Sequence, residues 1–307
     1  MSDPTTTPAL PTTELANPRT EGLDQLATEA MLARINDEDA TVATVVRGVL
    51  PQIARAVDAV ADSLRGGGRL IYVGAGTSGR LGCLDAAECL PTFGVPPEQV
   101  FGIIAGGEQA LLRAVEGAED DGDAGAAAMD AARVGPGDAI VGVSASGGAP
   151  YVRSAVRRAK ERGASVTISV ANSADAPLSG DVDIAIEAVS GPEAIQGSTR
   201  LKAGTAQKLI LNMLSTGAMV RIGKTYGNRM VDVQATNVKL VRRSLRLIRE
   251  IGGADSDEAA SEVLRRADGS VKLAIVLARL GLEPEAGRSR LREAGGFLAV
   301  ALGETPG

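Results

Sequence analysis

The chain has 307 residues, 44% of them apolar, and a formal net charge of −6 at pH 7. That length suits one large domain with additions or two modest ones, and the acidic balance repels a nucleic-acid backbone. Aromatic residues make up only 2%, which argues against stacking platforms for single strands, and the lack of histidine leaves any proton transfer to carboxylates, lysine, cysteine or tyrosine.

Residues 1–12 carry Pro4, Pro8, Pro11 and a threonine run and read as a disordered tail. No basic region followed by an apolar one opens the chain, and no run reaches the ~18 apolar residues of a membrane span, so a cytoplasmic protein is expected. Apolar positions 23, 26, 27, 30, 31 and 35 mark a first helix. A longer helical pattern runs over 40–64, interrupted by Pro51 and stopped by Gly66-Gly67-Gly68. From Arg69 the rhythm changes. Short β-rich runs at 69–73, 99–105, 138–143, 165–170 and 182–186 alternate with helical stretches at 79–90, 108–116, 122–133 and 149–162. This alternation predicts the α/β class: a doubly wound parallel sheet with helices on both faces. Long helices are expected over 198–222 and 232–251. Beyond Gly252-Gly253, three short helices over 256–266, 269–280 and 284–302 form a helical appendage.

Two turns stand out, Gly74-Ala75-Gly76-Thr77-Ser78-Gly79-Arg80 and Ser144-Ala145-Ser146-Gly147-Gly148. Each follows a predicted strand and precedes a predicted helix, so hydroxyls and free N–H groups gather at a helix N-terminus and form an anion cradle. Ordinary N-capping would account for one such loop; a pair at two strand ends points to a phosphorylated ligand. The first loop also matches a dinucleotide fingerprint, but the acidic residue that should end the next strand is missing, since Glu98 precedes that strand.

Carboxylates cluster near the cradles: Asp85 and Glu88 three apart on one helix, and Glu116, Glu119, Asp120, Asp121 and Asp123 around a turn. Most of the second group reads as a solvated loop, yet a pair drawn from the two regions would supply one general acid and one general base. The polar stretch 191–205, with Glu193, Ser198, Thr199, Arg200 and Lys202, reads as a third loop facing the ligand, in which Ser198 or Thr199 would cap the helix that follows. Lys239 to Arg249 alternates basic residues with Val238, Val241, Leu245 and Ile248 and reads as an amphipathic helix with a solvated basic face. Cys83 and Cys89, the only cysteines, have no histidine partners for a structural zinc site and read as small buried hydrophobes.

Several of these stretches together resemble the N-acetylmuramic acid 6-phosphate etherase family. They are 74–80 with Asp85-Ala-Ala-Glu88-Cys, Ala105-Gly-Gly-Glu108, Val115-Glu-Gly-Ala-Glu119-Asp120, Gly197-Ser-Thr-Arg-Leu-Lys-Ala-Gly-Thr-Ala-Gln-Lys208, Thr13-Glu14-x-x-Asn17-Pro18, Ile35-Asn-Asp-Glu38-Asp and 227–233. The likeness runs from about Thr13 to Leu302, and the 197–208 signature is shared mainly with the glucokinase regulatory protein. It implies a sugar isomerase (SIS) fold and a homodimer working without metal or other cofactor. It also implies cleavage of the lactyl ether to N-acetylglucosamine 6-phosphate and D-lactate in cell-wall amino sugar recycling or catabolism. Residue by residue, it implies Glu88 as proton donor and Glu119 as second active-site carboxylate, with Gly76, Thr77, Ser78, Ser144, Ser146, Ser198 and Thr199 around the phosphosugar. Burial beside Leu81, Leu84 and Leu90 would help Glu88 keep a proton; the role of Glu193 stays open.

One departure concerns the second cradle, where similar etherases read Ser-Gly-Arg-Thr-Pro and this chain has Ser146-Gly-Gly148-Ala149-Pro. The expected organisation is a tail over 1–12, a helical segment over 13–66, a SIS domain over 67–251 and a helical domain over 252–307. Two alternatives share the fold: an aldose–ketose isomerase and a non-catalytic sugar-phosphate sensor. The first 65 residues lack the basic helix-turn-helix that a DNA-binding sensor would carry.

Overall fold

In the computed structural model, which describes residues 10–233 and 238–304, the two helical patterns ahead of the first strand form only in part: residues 23–27 of the first are not α-helical, with Ala27 and Ala30 exposed, and the second is split into two helices. Residues 1–9 of the expected tail lie outside the described residues. A 3-10 turn at Leu23–Gln25 leads into α1 (Thr28–Asp39), followed by α2 (Val42–Gly48) and α3 (Leu50–Arg65). Pro51 sits in the first turn of α3, where its missing N–H breaks no helical hydrogen bond. Ile53, Ala56, Val60 and Leu64 of α3 recur at helical spacing and are buried.

All five predicted strands form: β1 (Leu70–Gly74), β2 (Val100–Ile104), β3 (Ala139–Val143), β4 (Val166–Ala171) and β5 (Ile184–Glu187). They make one parallel sheet in the order β2-β1-β3-β4-β5. The connecting helices are α4 (Gly76–Phe93), α5 (Gln109–Leu112), α6 (Gly122–Ala131) and α7 (Pro150–Glu161), and α8 (Lys202–Arg221) follows β5. Ile71, Val73 and Ile140 pack with Met129, Val152 and Val156 of α6 and α7. The alternate residues Leu70, Tyr72, Ala139 and Val141 therefore face the other side of the sheet and are fully buried there. Burying a Leu, Ile or Val side chain in these layers stabilises by about 1.5–3 kcal/mol.

The helix expected over 108–116 shrinks to the single turn α5. Leu112 is 90% exposed, so its apolar spacing marks no packed face. Gly117 then turns left-handed at φ 71° and starts a 3-10 turn over Ala118–Asp120.

The described chain divides into two compact units, one comprising the chain up to Asp85 with Phe101–Leu214, the other Ala86–Val100 with Ser215 onward. The N-terminal helices and the sheet thus share the first unit. In the second, β6 (Thr225–Tyr226) and β7 (Arg229–Met230) form a hairpin, followed by α9 (Val238–Gly252), α10 (Asp257–Arg266), α11 (Val271–Leu280), α12 (Pro284–Glu293) and α13 (Leu298–Ala301). The expected helix over 284–302 is split because Gly295 and Gly296 both take positive φ. The start expected for α9 at Asp232 falls partly on residues 234–237, outside the described residues.

The phase of α9 differs from expectation. Leu240, Ser244, Leu247, Ile248 and Ile251 form its buried stripe, while Val238 and Val241 are exposed. Its basic residues Lys239, Arg242, Arg246 and Arg249 are solvated. A buried ammonium ties the unit together: Lys272 Nζ donates to Asp232 Oδ2 at 2.7 Å and to the carbonyls of Gly223 and Gly296. Burial pushes the Lys272 ammonium below its usual value, against the opposing pull of Asp232. Cys89 is buried and Cys83 half-buried, and burial pushes the Cys83 thiol up, away from the reactive thiolate. No helix among the described residues is long and apolar enough to cross a membrane.

Candidate active site

Both cradles leave the same edge of the sheet. Gly74 pairs with Val143 across β1 and β3, so the loops that follow begin side by side. The chain proceeds from β1 to one neighbour, β2, and later returns to the other, β3, so the gap between these loops is the topological switch point where open parallel sheets bind ligands. A Cβ on Gly74 would lie 2.5 Å from the Gly79 nitrogen, and one on Gly79 would lie 2.7 Å from the Gly74 carbonyl oxygen. Only glycine permits this approach, which seats the first turn of α4 directly on the strand end. Gly147 holds φ +71° in the second cradle, where a Cβ would meet that of Ala176 at 2.6 Å.

A cavity of about 430 Å³ opens between the loops. The first cradle lines it with Gly76, Thr77 and Ser78, the second with Ser144, Ser146, Gly148 and Ala149. The remaining wall is acidic and irregular: Glu119 and Asp120 from the 3-10 turn, Gly197 and Thr199 from the loop before α8, and Glu14 from the N-terminal segment. Among the described residues no lysine or arginine lines it.

The donors on the cradle side are oriented by a buried chain. Asn172 Nδ2 donates to the Ala188 carbonyl at 3.1 Å, which turns its Oδ1 toward Gln207. Gln207 Nε2 must then donate to that oxygen, at 2.9 Å, leaving Gln207 Oε1 to accept from Ser78 Oγ at 2.9 Å. The Ser78 proton is therefore committed to Gln207, and Ser78 offers the cavity its lone pairs. Ser146 is the converse. Its Oγ accepts the Gly148 N–H at 3.2 Å and keeps its own proton to donate.

The structure gathers Gly76, Thr77, Ser78, Glu119, Ser144, Ser146 and Thr199 around this space. Ser198 is half-buried beside it but is not a lining residue; its N–H bonds the Ile195 carbonyl. Glu88 is exposed and is also not among the lining residues. The residues from Gly76 to Glu88 span about 18 Å of α4 at ~1.5 Å each. Leu84 and Leu90 are exposed as well, so within one chain they do not bury Glu88 as the sequence reading expects. Asp85 is buried, accepting from Tyr72 Oη at 2.7 Å and Asn212 Nδ2 at 2.6 Å. Asp121 caps α6 through the Ala124 N–H.

Residues 52–160 match the family described as the glucokinase regulatory protein N-terminal SIS domain, and residues 118–216 match the SIS domain family. An N-acetylmuramic acid 6-phosphate etherase from Yersinia pestis is 53% identical over 289 residues, covering 94% of this chain and 97% of that relative. One from Yersinia pseudotuberculosis matches to the same extent. The chain belongs to the N-acetylmuramic acid 6-phosphate etherase family. Among solved structures, a phosphoheptose isomerase from Francisella tularensis is 18% identical with a TM-score of 0.50, covering 64% of this chain and all of that one, a likeness of fold.

In this etherase-family chain, motifs distant in sequence meet in one buried network. Glu38, 2% exposed, accepts from Lys202 Nζ at 2.7 Å, Asn17 Nδ2 at 2.9 Å and Arg19 Nη2 at 2.9 Å. Burial pushes the Glu38 carboxyl up, but the hydrogen bonds from Lys202, Asn17 and Arg19 outweigh it and hold it below the usual range. Asn17 also reaches the Pro192 carbonyl, and Gln196 Nε2 donates to the Glu14 carbonyl at 2.9 Å. The segment carrying Glu14 is thereby tied to the loop carrying Gly197 and Thr199.

Neither Ser198 nor Thr199 caps α8. Glu193, fully buried, does so from farther back, accepting the Lys202 N–H at 2.8 Å and the Ala203 N–H at 2.9 Å. Burial pushes the Glu193 carboxyl up against the pull of these two amides. Sequence reasoning reached Glu14, Glu38 and Gln207 only as letters inside motifs, and nothing local in their spacing signals that they converge.

Proposed function

We infer that this chain is a carbon–oxygen lyase that cleaves the lactyl ether of N-acetylmuramic acid 6-phosphate, giving N-acetylglucosamine 6-phosphate and D-lactate. Membership in the family supports the substrate class. The observation that carries the chemistry is that Glu119 faces a cradle of hydroxyls and amides across a single cavity. The phosphate sits between the two loops, on their N–H groups and the hydroxyls of Thr77, Ser144 and Ser146, with Ser78 holding the first loop in place through Gln207.

The opened sugar carries an aldehyde at C1, which acidifies the C2 proton. Glu119 takes that proton, the C3–O bond breaks with its electron pair going to the lactyl oxygen, and Glu88 protonates that oxygen as lactate leaves. Water then adds its oxygen to C3 of the unsaturated aldehyde and a proton returns to C2. Each well-placed acid or base contributes roughly 10²–10⁴-fold.

Glu88 enters the reaction from a second copy of the chain. Leu84 lies one turn before it on the same helix face and is 53% exposed, so a neighbouring copy seated there would cover both. A cytoplasmic homodimer with two shared sites completes this reading.

The test is incubation with N-acetylmuramic acid 6-phosphate in ¹⁸O-water, which should release lactate and place label at C3. An isomerase would release none. Glu88→Gln and Glu119→Gln should each lose about 10²–10⁴-fold in kcat, and mixing the two inactive variants under conditions that exchange subunits should restore turnover. Full activity in either variant would remove that residue from the mechanism, and failure of the mixed variants to recover would place both glutamates in one chain's site.

A further inference from the structure

A second, smaller chamber of about 190 Å³ shares the lining residues Ala75, Gly76 and Glu119 with the first. Its other walls are mostly small and apolar, Ala105, Ala110, Ala114 and Val115, and one is cationic, Arg80. Arg80 is half-buried, with its Nε donating to the Leu111 carbonyl at 3.3 Å. No acidic side chain among the described residues forms an ion pair with it. Among the described residues it is the only cation lining either chamber, and the acids lining the smaller one are Glu116 and Glu119, both exposed.

We propose that this chamber is the subsite for the lactyl substituent, with the Arg80 guanidinium taking its carboxylate and the alanine and valine methyls taking its methyl group. The proposal rests on the etherase reading and adds how the leaving group is recognised. Size, charge and position agree. The chamber, at about 190 Å³, has room for a three-carbon acid. The larger cavity already receives the phosphate and is rimmed by Glu14, Glu119 and Asp120, so a second anion placed there would meet like charge with no cation nearby. A guanidinium matches a carboxylate with two parallel N–H bonds, a geometry a lysine does not offer. Glu119 stands on the wall common to both chambers. A substrate with its ring in the first and its lactyl group in the second threads the C3–O bond past that carboxylate, which is then next to C2.

The experiment compares N-acetylmuramic acid 6-phosphate with its analogue in which the lactyl carboxyl is an amide. The unaltered enzyme should prefer the acid in kcat/KM by about 30-fold or more. Arg80→Met should lose most of that preference and Arg80→Lys only part of it, while N-acetylglucosamine 6-phosphate, which has no lactyl group, should inhibit all three alike. A merely structural role for Arg80 would lower both substrates equally and leave the preference intact, which would overturn the proposal. Ala114→Leu changes an exposed position that lines the chamber and narrows it while leaving residue 80 an arginine. It should lower kcat/KM for the acid while leaving inhibition by N-acetylglucosamine 6-phosphate unchanged; equal weakening of both would likewise overturn the subsite. If the unaltered chain releases no lactate at all, the etherase reading itself fails, an outcome distinct from unaltered turnover with an indifferent Arg80.

Discussion

The cradle side of the cavity is fixed to the ends of β1 and β3 and offers only neutral donors and acceptors, whereas the facing side is acidic and is carried by irregular chain from three distant parts of the sequence. The first side is rigid because strand pairing, close glycine contacts and the Asn172–Gln207–Ser78 chain leave it one arrangement. The second depends on a few long-range ties, chiefly the Glu38–Lys202 pair. The contrast teaches a division of labour. In the proposed function a dianionic phosphate would be held by preorganised dipoles without a fixed countercharge, and the carboxylates assigned to proton transfer would sit where a substrate can reach them.

The largest expected effect breaks the acidic side. Glu38→Gln leaves Lys202 charged and buried without its carboxylate, which should destabilise the protein by about 3–5 kcal/mol. The pH dependence sharpens the attribution. Because the native Glu38 carboxyl is held below the usual range, the unfolded chain binds more protons in that window. The stabilisation is complete above the ordinary carboxylate value near ~4.3 and is lost as pH falls through the lower native one. Urea unfolding from pH 7 to pH 3 should therefore show a shallower acid loss in Glu38→Gln; parallel curves would place the acid sensitivity elsewhere.

A smaller effect is expected on the cradle side. Gln207→Leu strips the partners from Ser78 and Asn172, each buried, at a cost of about 1–3 kcal/mol. The Ser78 proton is released as well, so KM for the phosphosugar should change more than kcat. Steady-state kinetics read this directly, and a change confined to kcat would mean that the chain does not orient the phosphate loop.

The smallest effect tests the missing charge. Gly148 lines the cavity and is exposed, and a Cβ there would meet nothing closer than Ser146 Oγ at 3.4 Å, so Gly148→Arg fits the backbone. A guanidinium facing the phosphate from solvent should contribute about 1 kcal/mol or less, lowering KM by up to about 5-fold in low salt and by less in high salt. No change at low salt would indicate that the neutral donors already satisfy the phosphate.

Much of the fold was legible because short apolar runs bounded by glycine declare themselves locally. All five strands fall within two residues of their expected limits. Local pattern misled where apolar residues are not packed. Within the helical stretch expected over 108–116, Leu111 and Leu112 are exposed, and Val238 and Val241 suggested the wrong face of α9. The site was legible as chemistry, in the hydroxyls of the cradles and in Glu119, and illegible as assembly. Glu14 comes from the N-terminal helical segment, far in sequence from both cradles, and the cap of α8 comes from Glu193, nine and ten residues from the amides it accepts.

The order of residues by itself determined the strands, most of the helices, the two glycine–hydroxyl turns and the exclusion of histidine from any proton transfer, because side-chain periodicity and residue chemistry act over a few positions. Tertiary structure alone decided that β1 lies beside β3, which brings the two turns together. It also decided that, among the described residues, the larger cavity is lined by no cation while its neighbour is lined by Arg80, and that Glu88 is exposed and is not among the lining residues. Such neighbours are chosen by pairing and packing across tens of residues, 69 in the case of Gly74 and Val143, and no local pattern carries that information.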